Sequence, residues 1–168
     1  MVRSLIFTLV LSSFLMSLSS CAQTPTSSAL AANEGWLTSL EEAYKISKKT
    51  GRPILANFTG SDWCGWCKRL TANVFVTDEF KKWANKNVIL LELDYPRYKK
   101  LPDDLRQQNA SLQQQFQIQG FPTVWVFDLE KDKTTKQFQI AQIGRTGYKP
   151  TSAEFITDVN NILANRKK

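Results

Sequence analysis

Residues 53–59, PILANFT, form an apolar run that is followed almost at once by SDWCGWCKRL at 61–70, so that Cys64 and Cys67 stand three positions apart. A short apolar run of this kind reads as a buried strand. The residues behind it, CGWCKRLTANVF, read as a helix opening at or beside Cys64. The thiols therefore fall on a strand-to-helix junction, where the first backbone N–H groups of a helix lack intrahelical partners. A chain built around such a junction needs a sheet for the strand and a helical layer above it.

The remaining pattern supplies both. TSLEEAYKISKK (38–49) is expected to be helical, with Thr38 and Glu41 at capping-box spacing and Leu40, Ala43, Tyr44 and Ile46 on one face, ended by Gly51 and Pro53. A second start at Thr77–Asp78 opens a helix through Asn85, and VILLELD (88–94) is a strand bounded by Asn87 and Pro96. After a loop, Tyr95–Pro102, a helix starts at Asp103 or Asp104. TVWVFD (123–128) and QFQIAQIG (137–144) are strands joined by the turn KDKTTK. The last helix opens on Thr151 and Glu154 and buries Phe155, Ile156, Val159, Ile162 and Leu163. These elements predict an α/β fold with a mixed central sheet flanked by helices on both faces. With 168 residues, 42% of them hydrophobic, the chain has material for one such domain, expected over 36–168.

The first 21 residues differ in kind. MVRSLIFTLVLSSFLMSLSSC has one charge, Arg3, before an apolar run from Leu5 to Leu18, too short for a comfortable span and suited to a secretory signal. A retained anchor helix is the alternative. LSSC (18–21) resembles the bacterial lipoprotein box, which makes Cys21 a lipidation candidate. Cleavage after Ala22 is the rival, with Ser20 and Ala22 both small. Residues 22–35, polar and uncharged until Glu34, read as a flexible tether. Both routes predict export, to a bacterial periplasm, with or without a lipid anchor. The formal charge of +7 is scattered among acids, with no basic run longer than the terminal RKK, so nucleic acid is not an expected partner.

Three chemistries can use two close cysteines. A structural zinc needs four thiolate or imidazole ligands; the chain has no histidine, and its third cysteine lies in the export segment. Haem attachment fails because Lys68 stands where histidine is needed, and no Cys–His catalytic pair can form. A structural disulfide stays open, although a bridge over so short a loop constrains the unfolded chain little. Redox exchange fits the junction. In the first turn of a helix Cys64 faces unpaired N–H groups and the positive end of the macrodipole, worth up to about 2 kcal/mol, enough to lower a thiol pKa from about 8.5 toward 7. Cys67 lies one turn further in and acts second.

WCGWCK behind a strand, GFPT (120–123) ahead of the strand VWVF, and Gly144 at the end of FQIAQIG occur in an order that resembles the thioredoxin superfamily over about Trp36–Asn165. The longer FTGSDWCGWC and the enlarged loop after LELDYP resemble its periplasmic DsbH type. The resemblance implies a redox disulfide Cys64–Cys67, with Cys64 as nucleophile and Cys67 as resolving thiol, and no cofactor. It implies a cis peptide at Phe121–Pro122, in a loop that pairs with substrate together with Thr123. It also implies that Gly144 lets substrate approach. Trp63, Gly65 and Trp66 complete the expected substrate-binding set, the tryptophans as an apolar rim. Two departures stand out: Asn57 replaces a buried aspartate of the family, and Leu90 a lysine. Water, Glu92 or Asp62 must then take the Cys67 proton.

Strong oxidants of the superfamily stabilise their thiolate with extra donors, often a histidine between the cysteines, whereas Gly65 and Trp66 carry no charge. The gap between a strongly oxidising and a thioredoxin-like couple, about 150 mV, is about 7 kcal/mol, beyond a helix dipole. Lys68 and Arg69 have no evident reason to point at Cys64. A reductase of disulfide-bearing exported proteins is therefore expected, recharged by a membrane thiol donor of the DsbD type. The alternatives are an oxidase or isomerase, and a redox-silent binding lipoprotein.

Overall fold

The central strand of the sheet is the run that precedes the cysteines. In the computed structural model, which describes residues 31–167, β1 (Ile54–Thr59) is buried at every position. The expected signal segment, Cys21 and residues 22–30 of the expected tether lie outside the described residues. β1 pairs in parallel with β2 (Ile89–Asp94) and antiparallel with β3 (Thr123–Lys131), and β3 pairs antiparallel with β4 (Phe138–Thr146). The order is β2-β1-β3-β4, a mixed sheet. Helices α1 (Leu40–Thr50), α2 (Gly65–Leu70), α3 (Asp78–Asn87), α4 (Asp103–Gln115) and α5 (Ser152–Ala164) complete the fold.

A strand covered on both faces has no polar side to show, which is why PILANFT does not alternate. Leu55 joins a core with Trp36, Leu70, Val74, Phe80, Phe155 and Val159, so α2, α3 and α5 cover that face. Ile54, Ala56 and Phe58 join the opposite core with Leu40, Ala43, Leu91, Leu112 and Phe127, under α1 and α4. The expected architecture, helices on both faces of a mixed sheet, is what the chain forms.

Boundaries shift where local chemistry offers a choice. The cap of α1 is Ser39, whose hydroxyl accepts from Glu42 N at 3.3 Å, rather than Thr38. Thr38/Glu41 and Ser39/Glu42 have the same spacing, so the pattern alone could not separate them. The buried face runs through Leu40, Ala43 and Ser47, which leaves Ile46 at 37% exposure and buries Ser47, whose hydroxyl donates to Arg52 O. The helix over 64–75 does not stay regular: after Leu70 it widens into a π-helical turn, Thr71–Phe75. β3 runs past its apolar stretch because main-chain pairing continues to the hairpin turn closed by Asp132, and β4 runs past Gly144 at its other end, where Arg145 and Thr146 pair with Trp125 and Val124.

The end of the expected tether belongs to the folded unit. Asn33 is 7% exposed, and the N–H groups of Ala32 and Asn33 and the Asn33 amide all donate to the Glu92 carboxylate. Leu37 then bridges to Leu91 at the edge of β2. A small, uncharged composition does not reveal that a buried carboxylate will collect backbone donors.

Candidate functional site

Cys64 is the N-cap of α2, in an extended conformation (φ −81°, ψ 107°), and its Sγ accepts the Cys67 N–H at 3.2 Å. The sulfur thus takes the capping role that a serine or aspartate oxygen fills elsewhere, beside the positive helix end. Cys64 and Cys67 form a disulfide, with Cα atoms 5.3 Å apart. Both cysteines are buried, Cys64 at 6% exposure and Cys67 at 3%. A Cβ at Gly65 would meet nothing within 4 Å, leaving the first turn of the helix open.

Trp63 is set by three contacts. Its Nε1 donates to Tyr95 O at 2.8 Å, its ring stands edge-on to Phe121 at 5.8 Å, and the Arg97 guanidinium lies 3.8 Å from its centre. The indole also packs on Gly60, where a Cβ would come within 2.5 Å of it. Phe121–Pro122 is cis, and Phe121 stacks against Tyr95 at 5.2 Å. Thr123 Oγ1 donates to Gly120 O at 2.8 Å, closing the same loop. The structure thereby brings the proline loop to Trp63, the neighbour of Cys64. Trp66 is 53% exposed, with Tyr148 edge-on at 5.0 Å and Arg69 4.6 Å from its centre.

Gly144 lies under a helix: a Cβ there would fall 2.8 Å from Ile162 Cγ2, and β4 runs on to Thr146. Its missing side chain makes room for α5. Gly147 is the glycine beside the loop, its Cβ position 3.6 Å from Pro122 O. Gly60, Gly147, Tyr95 and Tyr148 carry no motif of their own. The one available signal was position, since Gly60 and Tyr95 end the two strands that converge on the cysteines.

The charged groups are committed away from the sulfurs. Lys68 Nζ donates to Asp62 O at 2.9 Å, and Arg69 lies on Trp66. The Asp62 carboxylate accepts from the backbone N–H groups of Arg97, Tyr98 and Lys99. Partial desolvation pushes its pKa up, but these donors outweigh it and hold the carboxyl below its ordinary range. Glu92 is 1% exposed and pairs in register with Asn57 of β1. Burial pushes its carboxyl above the ordinary range, against the donors from Ala32 and Asn33 and with the help of the neighbouring Asp94 charge. Both carboxylates expected as acceptors for the Cys67 proton are therefore engaged by main-chain donors.

The Thioredoxin-like domain family matches residues 40–140. Disulfide bond reductase DsbH of Chlamydia pneumoniae is 34% identical over 134 residues, covering 79% of this chain and 75% of that protein. Thiol:disulfide interchange protein DsbD of Colwellia psychrerythraea is 29% identical over 127 residues, 76% of this chain and 18% of that longer protein. Among solved structures, a DsbH oxidoreductase superposes with a TM-score of 0.67 at 32% identity, covering 89% of this chain and 96% of the other.

Proposed function

The chain belongs to the thioredoxin-like family, and from that premise we propose that it is an exported protein-disulfide reductase working through the Cys64–Cys67 pair. The observation that carries this reading is the place of Cys64: an N-cap sulfur bridged to the cysteine one turn inward, with no cation bonded to it among the described residues. Such a site supports thiol–disulfide exchange.

In the dithiol form, Cys64 thiolate attacks one sulfur of a substrate disulfide, forming a mixed disulfide and releasing the other sulfur as a thiolate. Cys67, deprotonated, attacks Cys64 Sγ. The substrate leaves with both sulfurs reduced, and the enzyme carries the disulfide seen in the structure. Two electrons pass from the pair to the substrate. The Cys67 proton leaves to water, because Asp62 and Glu92 are engaged and Asn57 is not a base. A dithiol donor then regenerates the pair; the likeness to DsbD supports a membrane thiol relay of that type. The proline loop and the Trp63–Trp66 rim hold the substrate backbone, with Gly65 giving access between the tryptophans. The N-terminal segment supports export, with Cys21 as the candidate for lipidation.

The test is insulin reduction with dithiothreitol. The chain should accelerate it, Cys64→Ser should abolish the acceleration, and Cys67→Ser should accumulate a mixed disulfide with insulin. An unaccelerated reaction, or full activity in Cys64→Ser, would instead support a redox-silent binding protein.

A further inference from the structure

Both tryptophans that bracket Cys64 carry a guanidinium on their rings: Arg97 on Trp63 at 3.8 Å and Arg69 on Trp66 at 4.6 Å. Both arginines are exposed, and among the described residues neither has a carboxylate partner. Arg97 comes from the loop after β2, far from the cysteines in sequence, and is held there by a clip. Asp62 accepts Arg97 N at 3.0 Å, Tyr98 N at 2.8 Å and Lys99 N at 3.2 Å. On the other side Lys99 Nζ pairs with Asp94 at 2.9 Å, and Asp94 accepts Ser61 N at 2.8 Å. The loop is thus tied at both flanks to residues 61–62, just ahead of the cysteines. Lys68 adds a third cation, on the Asp62 carbonyl. Two acids lie beside these, Asp62, whose oxygens face the loop's own N–H groups, and the buried Asp94, which is taken up by Lys99 and Ser61.

We propose that Arg97 and Arg69 are specificity-determining residues that select disulfides flanked by acidic residues, with Asp62 as the positioning residue that sets Arg97 on Trp63. This inference rests on the thiol-exchange reading above and names its substrate class. A segment presenting its disulfide to Cys64 must pass between the two cation-bearing rings. Carboxylates beside its cysteine meet charges that have no internal partner. Exposed pairs of this kind change a rate or affinity about two- to fivefold each, and salt removes the effect.

The experiment uses the full chain, reduced and desalted, and two symmetric peptide disulfides of equal length, one with glutamates and one with lysines flanking the cysteine. Each rate is divided by that of dithiothreitol with the same peptide, which removes the peptides' intrinsic reactivity. At low salt the normalised rate should favour the acidic peptide about fivefold or more, and the ratio should fall toward one in 0.5 M salt. Arg97→Gln and Arg69→Gln, both at exposed positions, should each lower the ratio about two- to fivefold. A ratio of one or below, with both peptides reduced, overturns the selectivity and leaves thiol exchange standing. A ratio unaltered in both variants overturns the assignment to these arginines. Failure to reduce either peptide overturns both readings.

Discussion

At the residue scale, what matters is which atom each side chain is committed to. Cys64 Sγ holds a helix-capping N–H, and the nearby acids hold loop or N-terminal N–H groups. Gly144 gives the sharpest residue-level prediction. Gly144→Ala drives a methyl into Ile162 and should cost about 1–3 kcal/mol of stability, read by thermal denaturation, while the folded fraction keeps its wild-type rate of insulin reduction. A normal melting point with lost activity would return Gly144 to the substrate path. The Cys64–Cys67 disulfide and the cis Phe121–Pro122 peptide were legible through the family resemblance that their motifs carry. The contact of Gly144 with Ile162 was not legible, because it depends on a helix closing 18 residues later. Arg97 was readable only as part of a loop, since nothing local says which ring it will reach.

At the element scale, β2 ends in two buried acids, Glu92 and Asp94, that fasten opposite parts of the chain. Glu92 anchors the segment entering the domain, and Asp94 the residues leading into the cysteines. Glu92 leads to a pH dependence. Its folded pKa lies above the unfolded value, so the folded state binds more protons, and stability falls as pH rises from the ordinary glutamate range through the raised pKa. Asp62, Asp132 and Asp158 have lowered pKa values and act in the opposite sense, losing stability only below the ordinary aspartate range. In melting temperatures measured above about pH 4.5, the falling slope should be present in wild type and absent in Glu92→Gln. Parallel profiles for the two proteins would remove Glu92 from that role. Element order and type were readable from periodicity and caps, the pairing of Asn33 with Glu92 was not, because it joins residues 59 apart.

At the scale of the whole molecule, sheet, loops and helix converge on Cys64 and its neighbour Trp63. β1 delivers Cys64 to the helix end, the loop after β2 lays Arg97 on Trp63, and the proline loop ahead of β3 sets Phe121 against the same ring. The chain has no histidine, no cation is bonded to Sγ among the described residues, and the guanidiniums sit on the rings. On the reductase reading proposed above, the thiolate gains stabilisation from peptide dipoles alone, which keeps the couple reducing. The midpoint potential of the Cys64–Cys67 couple, titrated against glutathione or dithiothreitol buffers, tests this directly. The account predicts a value near that of thioredoxin, about −270 mV; a midpoint above about −180 mV would contradict it and make the protein an oxidant or isomerase.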